Sequence, residues 1–287
     1  MIKVGFIGAG TVGTALATLL NSKGYPVVAV SSRSQTSATK LAQSISNCRV
    51  FSNGQDVADN AKLVFITTPD GAIAPVASQI QWHNGQSVVH CSGADSTDIL
   101  ESAKKSVARV GAFHPLQTFA SVKQAIENIP GSTFAVEAEE PLLSTLKDIA
   151  TVLDAHWIEL KASDKVAYHA TAVIACNYLV TLVKLATDLW QTFDIPQQQA
   201  IQALLPLIRG TIHNIETVGI PQCLTGPIAR GDTGTIKKHL EALQKIAPTM
   251  VFAYRELGLQ TIPIALAKGR INQDQAQKME VLLKTDK

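Results

Sequence analysis

The run Ile2-Lys3-Val4-Gly5-Phe6-Ile7, followed at once by Gly8-Ala9-Gly10-Thr11-Val12-Gly13, limits what this chain can fold into more than any other feature. The short apolar run predicts a strand. The spacing of Val12, Leu16, Leu19 and Leu20 predicts an amphipathic helix directly behind it. The glycines between them fit G-x-G-x-x-G, and strand–turn–helix is the setting in which that pattern carries weight. Gly8 permits the tight turn, Gly10 lets backbone approach a pyrophosphate, and Gly13 allows close helix–strand packing. The helix start offers free N–H groups and the positive end of its dipole, so the backbone of Ala9, Thr11 and Val12 is expected to join the phosphate cradle.

The pattern continues. Apolar runs at Val27–Ser31, Leu63–Thr67, Ser87–His90, Arg109–Phe113, Thr133–Val136 and His156–Glu159 read as further strands. Helical periodicity over Val12–Ser22, Ser37–Ser46 and Ile73–Ile80 lies between the first four. Such alternation implies right-handed crossovers and a mostly parallel, doubly wound sheet, that is, an α/β Rossmann domain. From about Lys161 only helical patterns remain: Lys165–Gln191 as one long helix, Pro196 to Thr217 divided or kinked at Pro206, a stripe of Ile236, Leu240, Leu243 and Ile246, and a helix after Pro248. The expected domains are therefore residues 1–160, binding the dinucleotide, and 161–287, an all-α substrate and dimerisation domain.

The cofactor type follows from an absence. A site for NAD usually places Asp or Glu about 20 residues beyond the glycines, on the ribose hydroxyl. Here the second strand ends Ser31-Ser32-Arg33-Ser34, and the first acidic residue of the chain is Asp56. Ser32 and Arg33 suit a 2′-phosphate, which a carboxylate would repel, so NADP(H) is the expected cofactor. Arg33 also reads as a plain loop arginine. Thr67-Thr68-Pro69 and Ser92-Gly93 follow later strands, where loops line the cofactor crevice. Thr67, Pro69 and Ser92 are the expected contacts, although plain strand-to-helix turns fit nearly as well.

Composition excludes several classes. Lys+Arg 25 against Asp+Glu 23, a net charge of +2, gives no basic surface for nucleic acid. No run approaches 18 uninterrupted apolar residues, and no leader peptide precedes the first strand, so a cytoplasmic protein without a membrane span is expected. Cys48, Cys91, Cys176 and Cys223 form no metal-ligand spacing, and no metal is expected.

Three further stretches, Gly111-Ala112-Phe113-His114-Pro115-Leu116-Gln117-Thr118-Phe119, Lys165 through His169 to Asn177-Tyr178-Leu179, and Leu224-Thr225-Gly226-Pro227-Ile228-Ala229-Arg230-Gly231-Asp232, complete a resemblance. The chain resembles the bacterial family of predicted oxidoreductases that joins a Rossmann-like NADP-binding domain to a helical domain of unknown function. The resemblance implies the superfamily whose helical second domain is of the 6-phosphogluconate dehydrogenase type. Ketopantoate reductase, 3-hydroxyisobutyrate dehydrogenase, prephenate dehydrogenase and pyrroline-5-carboxylate reductase belong to it. It implies hydride transfer to a small carbonyl or imine, with a ketopantoate-like 2-oxo acid favoured and a cyclic imine next, and it leaves a deazaflavin open as hydride partner. A non-catalytic NADP(H)-sensing protein is the rival of a different class.

Hydroxy-acid enzymes of that superfamily carry a Lys four residues before an Asn. This chain has Lys165 and, at the Asn position, His169. Four residues apart on a helix, the two share a face and can reach one substrate. Asn177 lies toward the edge of that face, and His114 follows a strand on the Rossmann side. These four are the catalytic candidates, and Arg230 and Thr225 are the candidates for holding substrate. A solvated helix start accounts for Lys165 and His169 nearly as well, and ordinary structural roles account for His114 and Arg230. His90 and the remaining histidines read as surface or packing residues. The segment from Val173 to Leu189 is apolar almost all round and must be covered, so a homodimer through the helical domain is expected.

Overall fold

The computed structural model describes residues 1–284 and divides the chain into two compact units, Met1–Cys176 and Asn177–Lys287. The division falls 16 residues after the expected boundary at 160, because the chain stays with the first unit through Lys165 and its neighbours.

The first unit runs β1 (Val4–Ile7), α1 (Thr11–Ser22), β2 (Val27–Ser31), α2 (Gln35–Gln43), β3 (Arg49–Phe51), α3 (Gly54–Asn60), β4 (Leu63–Ile66), α4 (Asp70–Ser78), β5 (Ser87–His90), α5 (Glu101–Lys105), β6 (Arg109–Leu116), α6 (Val122–Asn128), β7 (Thr133–Ala138), α7 (Leu142–Val152) and β8 (His156–Glu159), then α8 (Lys165–Ala172). The strands form one sheet in the order β3-β2-β1-β4-β5-β6-β7-β8, parallel throughout except for the β6–β7 pair. All seven expected strands are present. The eighth, β3, has three residues, too few to show a period.

Alternation along the central strands builds two cores, one on each face of the sheet. In β4, Leu63 and Phe65 enter one cluster with α1, α2, α6 and α7, while Val64 and Ile66 enter the other with α3, α4 and α5. Phe6, Phe65, Phe113 and Phe134 line up across the first face, with ring centroids 5.3, 6.1 and 4.1 Å apart in turn. β6 outruns β5. Its pairing with β5 covers Arg109–Ala112, whereas its pairing with β7 continues to Leu116. Beyond β5 the strand is bonded on one side only, and Pro115, which lacks an N–H, is tolerated there.

The second unit is helical. It comprises α9 (Tyr178–Gln191), α10 (Gln197–Val218), α11 (Thr233–Ile246), α12 (Val251–Ala267) and α13 (Gln273–Lys284). The long helix expected over Lys165–Gln191 is interrupted by a π turn at Val173–Asn177, and α10 carries Pro206 within one continuous helix. The expected stripe on α11 is mostly right: Ile236, Leu240 and Leu243 are buried with residues of α12 and α13, while Ile246 is 43% exposed. Among the described residues only Thr187 is buried within the apolar segment Val173–Leu189.

Candidate functional site

The switch in strand order lies between β1 and β4, and a cleft of about 650 Å³ opens at the carboxyl ends of these strands. Gly8, Ala9 and Gly10 line it after β1, Ser32 and Arg33 after β2, and Thr67, Thr68 and Pro69 after β4. Gly8 has φ +113°, and a Cβ there would lie 2.7 Å from the Thr67 backbone. A Cβ on Gly13 would strike the Thr67 hydroxyl and lie 2.5 Å from the Gly8 carbonyl, so α1 can start only where the residue is glycine. A Cβ on Gly10 would meet no protein atom and would project into open space. That is the arrangement expected of a backbone that receives a pyrophosphate.

Thr67 has a different task from the one expected. Its hydroxyl donates to the Gly8 carbonyl at 2.8 Å and ties the β1 and β4 loops together. Next to it, Thr68 Oγ1 is buried, with no hydrogen-bond partner, in a residue that lines the cleft. A buried hydroxyl without a partner is costly in a finished core and fits a ligand position. Arg33 is exposed and is the only charged side chain among the described residues that line the cleft. Ser37 and Asn53 line it as well and were not singled out from sequence. Ser34 caps α2 by accepting from the Ser37 N–H.

A second group of polar residues lies further along the same edge of the sheet, at the ends of β5 and β6. His90, the last residue of β5, accepts from the Ser92 N–H at Nδ1 (3.1 Å), which leaves Nε2 to donate to the Ser96 carbonyl (3.2 Å). The Ser92 hydroxyl donates to Asp95 at 2.9 Å and is 2% exposed as a residue, so Ser92 shapes its loop and its hydroxyl is already engaged. Lys165 donates to the Ser92 carbonyl at 3.3 Å and stands 3.9 Å from Glu137. Glu137 in turn accepts from the Thr97 N–H and hydroxyl.

Lys165 is 1% exposed. Its ammonium faces a carbonyl and a carboxylate rather than open space, which corrects the expectation of a cation presented to substrate. An ammonium at a helix start packed on the sheet edge must be paired once it is desolvated. Burial pushes its pKa down in spite of Glu137.

His114 lies two residues beyond the end of β5 on the overhanging part of β6. Its Nδ1 is 2.9 Å from the Tyr168 hydroxyl, and its ring stands edge-on to both Tyr168 and His169, at centroid distances of 5.6 and 6.0 Å. Gly93 makes this packing fit: a Cβ there would lie 2.6 Å from His169 Cδ2 and 2.8 Å from His114 Nε2. Burial, followed by His169 and Lys165, holds the His114 pKa down to about 4, and burial with Lys165 does the same for His90. Burial raises Tyr168 to about 12. Both buried imidazoles are therefore neutral near pH 7.

The structure thus brings Lys165, His169 and His114 into one cluster and adds His90, Asp95, Thr97, Glu137 and Tyr168. His90 was expected to be a packing residue and is wholly buried, but it belongs to this constellation. Asn177 is exposed and begins the second unit. Thr225 and Arg230 are exposed in that unit, on the loop before α11. Among the described residues, no group of three or more His, Cys, Asp and Glu could hold a metal ion.

Residues 1–115 match the model of a Rossmann-like domain, and residues 132–261 match that of a domain of unknown function, DUF2520. The chain joins a Rossmann-like domain to a DUF2520 domain. The second match begins at β7 and therefore includes Glu137, Lys165, Tyr168 and His169. Among solved structures, the chain is similar to a Bacteroides fragilis protein inferred to be an NADP oxidoreductase (28% identity, TM-score 0.74, 91% of this chain and 97% of that one). It is also similar to a protein of Thermotoga maritima (25% identity, TM-score 0.76, 93% and 100%). A pyrroline-5-carboxylate reductase from Coxiella burnetii shares the fold at 16% identity (TM-score 0.61, 97% and 98%). Comparison with curated proteins finds no significant match.

Proposed function

We propose that the chain is an NADP(H)-dependent oxidoreductase that moves a hydride between nicotinamide and a small carbonyl or imine, with a 2-oxo acid of the ketopantoate kind favoured. The charge pattern of the cleft carries the reading. Arg33 with Ser32 and Ser37 can meet a 2′-phosphate, and among the described residues no carboxylate lines the cleft to repel it. The Gly8–Gly10 turn and the start of α1 receive the pyrophosphate, and the unpaired Thr68 hydroxyl is left for the ligand. When bound, the reduced nicotinamide supplies the hydride; the protein supplies position and a proton. The cluster at the ends of β5 and β6 lies along the same sheet edge as the β1 and β4 loops, toward which a dinucleotide held there extends. Lys165 fixes the Ser92-Gly93 loop, and His114 and His169 are the groups placed to meet the substrate.

A cyclic imine is the second substrate class, favoured by the fold shared with the Coxiella reductase. A chain that only senses NADP(H) would need the cleft but not the buried Lys165–Glu137 pair or the paired imidazoles. Purified protein mixed with NADPH and separate panels of 2-oxo acids and cyclic imines, followed by loss of the nicotinamide absorbance, decides among the three. Oxidation with neither panel would leave the sensing reading.

The homodimer belongs to the same proposal. On α9, Tyr178, Val180 and Leu182 are 56, 68 and 40% exposed, and on α10 Leu207 is 68% exposed. Single chains seldom leave so much apolar helix surface in water. By length and composition alone the helix Ala162–Gln191 could cross a membrane. Its first turns, however, hold Lys165 in a buried polar cluster, so a second copy of the chain is the better cover.

A further inference from the structure

We propose that Tyr168 and His114 form a proton relay: Tyr168 donates to His114 Nδ1, and the Nε2–H is thereby fixed as the group that protonates the substrate oxygen. The relay rests on the reductase reading and adds to it a partner, Tyr168, and a tautomer that neither the sequence nor the fold comparison supplies.

The geometry has three parts. First, the 2.9 Å contact joins a phenol and an imidazole nitrogen, so either can donate. The phenol O–H is the stronger acid and the imidazole nitrogen the stronger base, so the bond runs from Tyr168 to Nδ1. A neutral imidazole then carries its single proton on Nε2. Second, Nε2 is left for a ligand. Among the described residues nothing hydrogen-bonds to it, and it is not among the side-chain atoms sealed from solvent without a partner. Gly93 withholds the Cβ that would otherwise sit 2.8 Å from it. Third, the surroundings keep the ring neutral. Burial comes first, then the fields of His169 and Lys165 from α8, in disfavouring a second proton; His90 at the end of β5 is itself held neutral by burial, and Glu137 is engaged by Thr97 and Lys165.

The step balances. As the carbonyl carbon takes the hydride from reduced nicotinamide, the C=O π pair moves onto oxygen. The oxygen takes the Nε2 proton while Nδ1 takes the phenolic proton of Tyr168. The tyrosinate then takes its proton back from Nδ1 as water reprotonates Nε2, which restores both the phenol and the Nε2–H tautomer. The carbonyl is reduced to an alcohol, the dihydronicotinamide is oxidised, and His114 is neutral at both ends of the step. An alkoxide is a much stronger base than a phenolate, even one whose conjugate acid is raised to about 12, so the transfer runs downhill.

The test has a readout that needs no substrate. Nitrogen-15 NMR of the ¹⁵N-histidine-labelled full chain, with His114 assigned through His114→Asn, reports which ring nitrogen is protonated. The expected result is protonated Nε2 in the native chain and a mixture of tautomers in Tyr168→Phe. A native ring protonated on Nδ1 overturns the relay whatever the chemistry. Turnover of the carbonyl substrate found by the screen should fall by about 10²-fold in Tyr168→Phe and in His114→Asn, with NADPH affinity unchanged. Native-like turnover in both variants overturns the relay even with the Nε2 tautomer in place. If the native chain reduces no carbonyl compound, the relay to a substrate oxygen fails; if it reduces no imine either, the reductase reading fails with it, and the NMR result tells both failures from a wrong tautomer.

Discussion

Replacing Arg33 with alanine tests the cofactor assignment without knowledge of the substrate. Arg33 is the only charged side chain among the described residues lining the cleft, and it stands between Ser32 and Ser34 at the end of β2. A guanidinium can give a phosphate two charge-assisted hydrogen bonds, each about 1.5–3 kcal/mol when well shielded. Arg33 is exposed, so solvent and salt weaken both, and the pair together is expected to contribute about 1.5–3 kcal/mol. The variant should therefore bind NADPH roughly 10- to 150-fold more weakly, while NADH, which lacks the 2′-phosphate, changes little. Titration of nicotinamide fluorescence or calorimetry measures both. Raising the salt concentration should shrink the native preference for NADPH and leave the variant almost indifferent, because only the native site uses an exposed charge pair. Equal weakening of the two cofactors, or a native chain that binds NADH more tightly, would refute the reasoning.

Gly93→Ala places a methyl group 2.6 Å from His169 and 2.8 Å from His114, so both rings must move by several tenths of an ångström; turnover should fall at least about tenfold with NADPH binding retained, and native turnover would show that the rings are not in use. Lys165→Met and His169→Ala should each lower turnover by roughly 10²–10⁴-fold at unchanged NADPH affinity, and loss of affinity alongside would mean that they support the fold or the cofactor site instead. His90 and His114 titrate at about 4 in the folded chain against 6.5 when unfolded, so their contribution is complete above pH 6.5 and is lost as the pH falls toward 4, at most about 3 kcal/mol each. Urea denaturation across that range should show a slope that flattens in His90→Gln. Sedimentation should find a dimer at micromolar concentration that Val180→Glu dissociates, and a monomeric native chain would end that proposal.

The nucleotide cleft was legible because its demands are local. Gly8 needs a positive φ and Gly13 has no room for a Cβ, and both conditions are written into six consecutive residues. Arg33 could be read from the lack of any acid before Asp56. Glu137, Asp95 and Thr97 could not be read that way. Glu137 faces Ala112 only because β7 runs antiparallel to β6, and no period in either strand reveals that register. Tyr168 carried a usable signal, lying three residues after Lys165 and beside His169 on the same helix. The π turn at Val173–Asn177 left none, and it breaks the continuous helix face on which Asn177 was placed.

The cluster also explains why a lysine and three histidines can share so small a space. Lys165 is the one member that faces a carboxylate, donating to the Ser92 carbonyl and standing 3.9 Å from Glu137. Its field, added to burial, keeps His90 and His114 neutral, and a neutral ring can accept on one nitrogen and donate on the other. His90 uses both nitrogens to close the turn after β5, leaving nothing for a ligand. His114 uses one nitrogen on Tyr168 and keeps the other. In the proposed reaction the lysine thus acts from behind, adding to the burial that keeps the His114 ring neutral and holding the loop whose glycine lets that ring approach. Its loss should therefore raise the His114 pKa as well as slow the reaction, and the same nitrogen-15 spectra would record that shift in Lys165→Met.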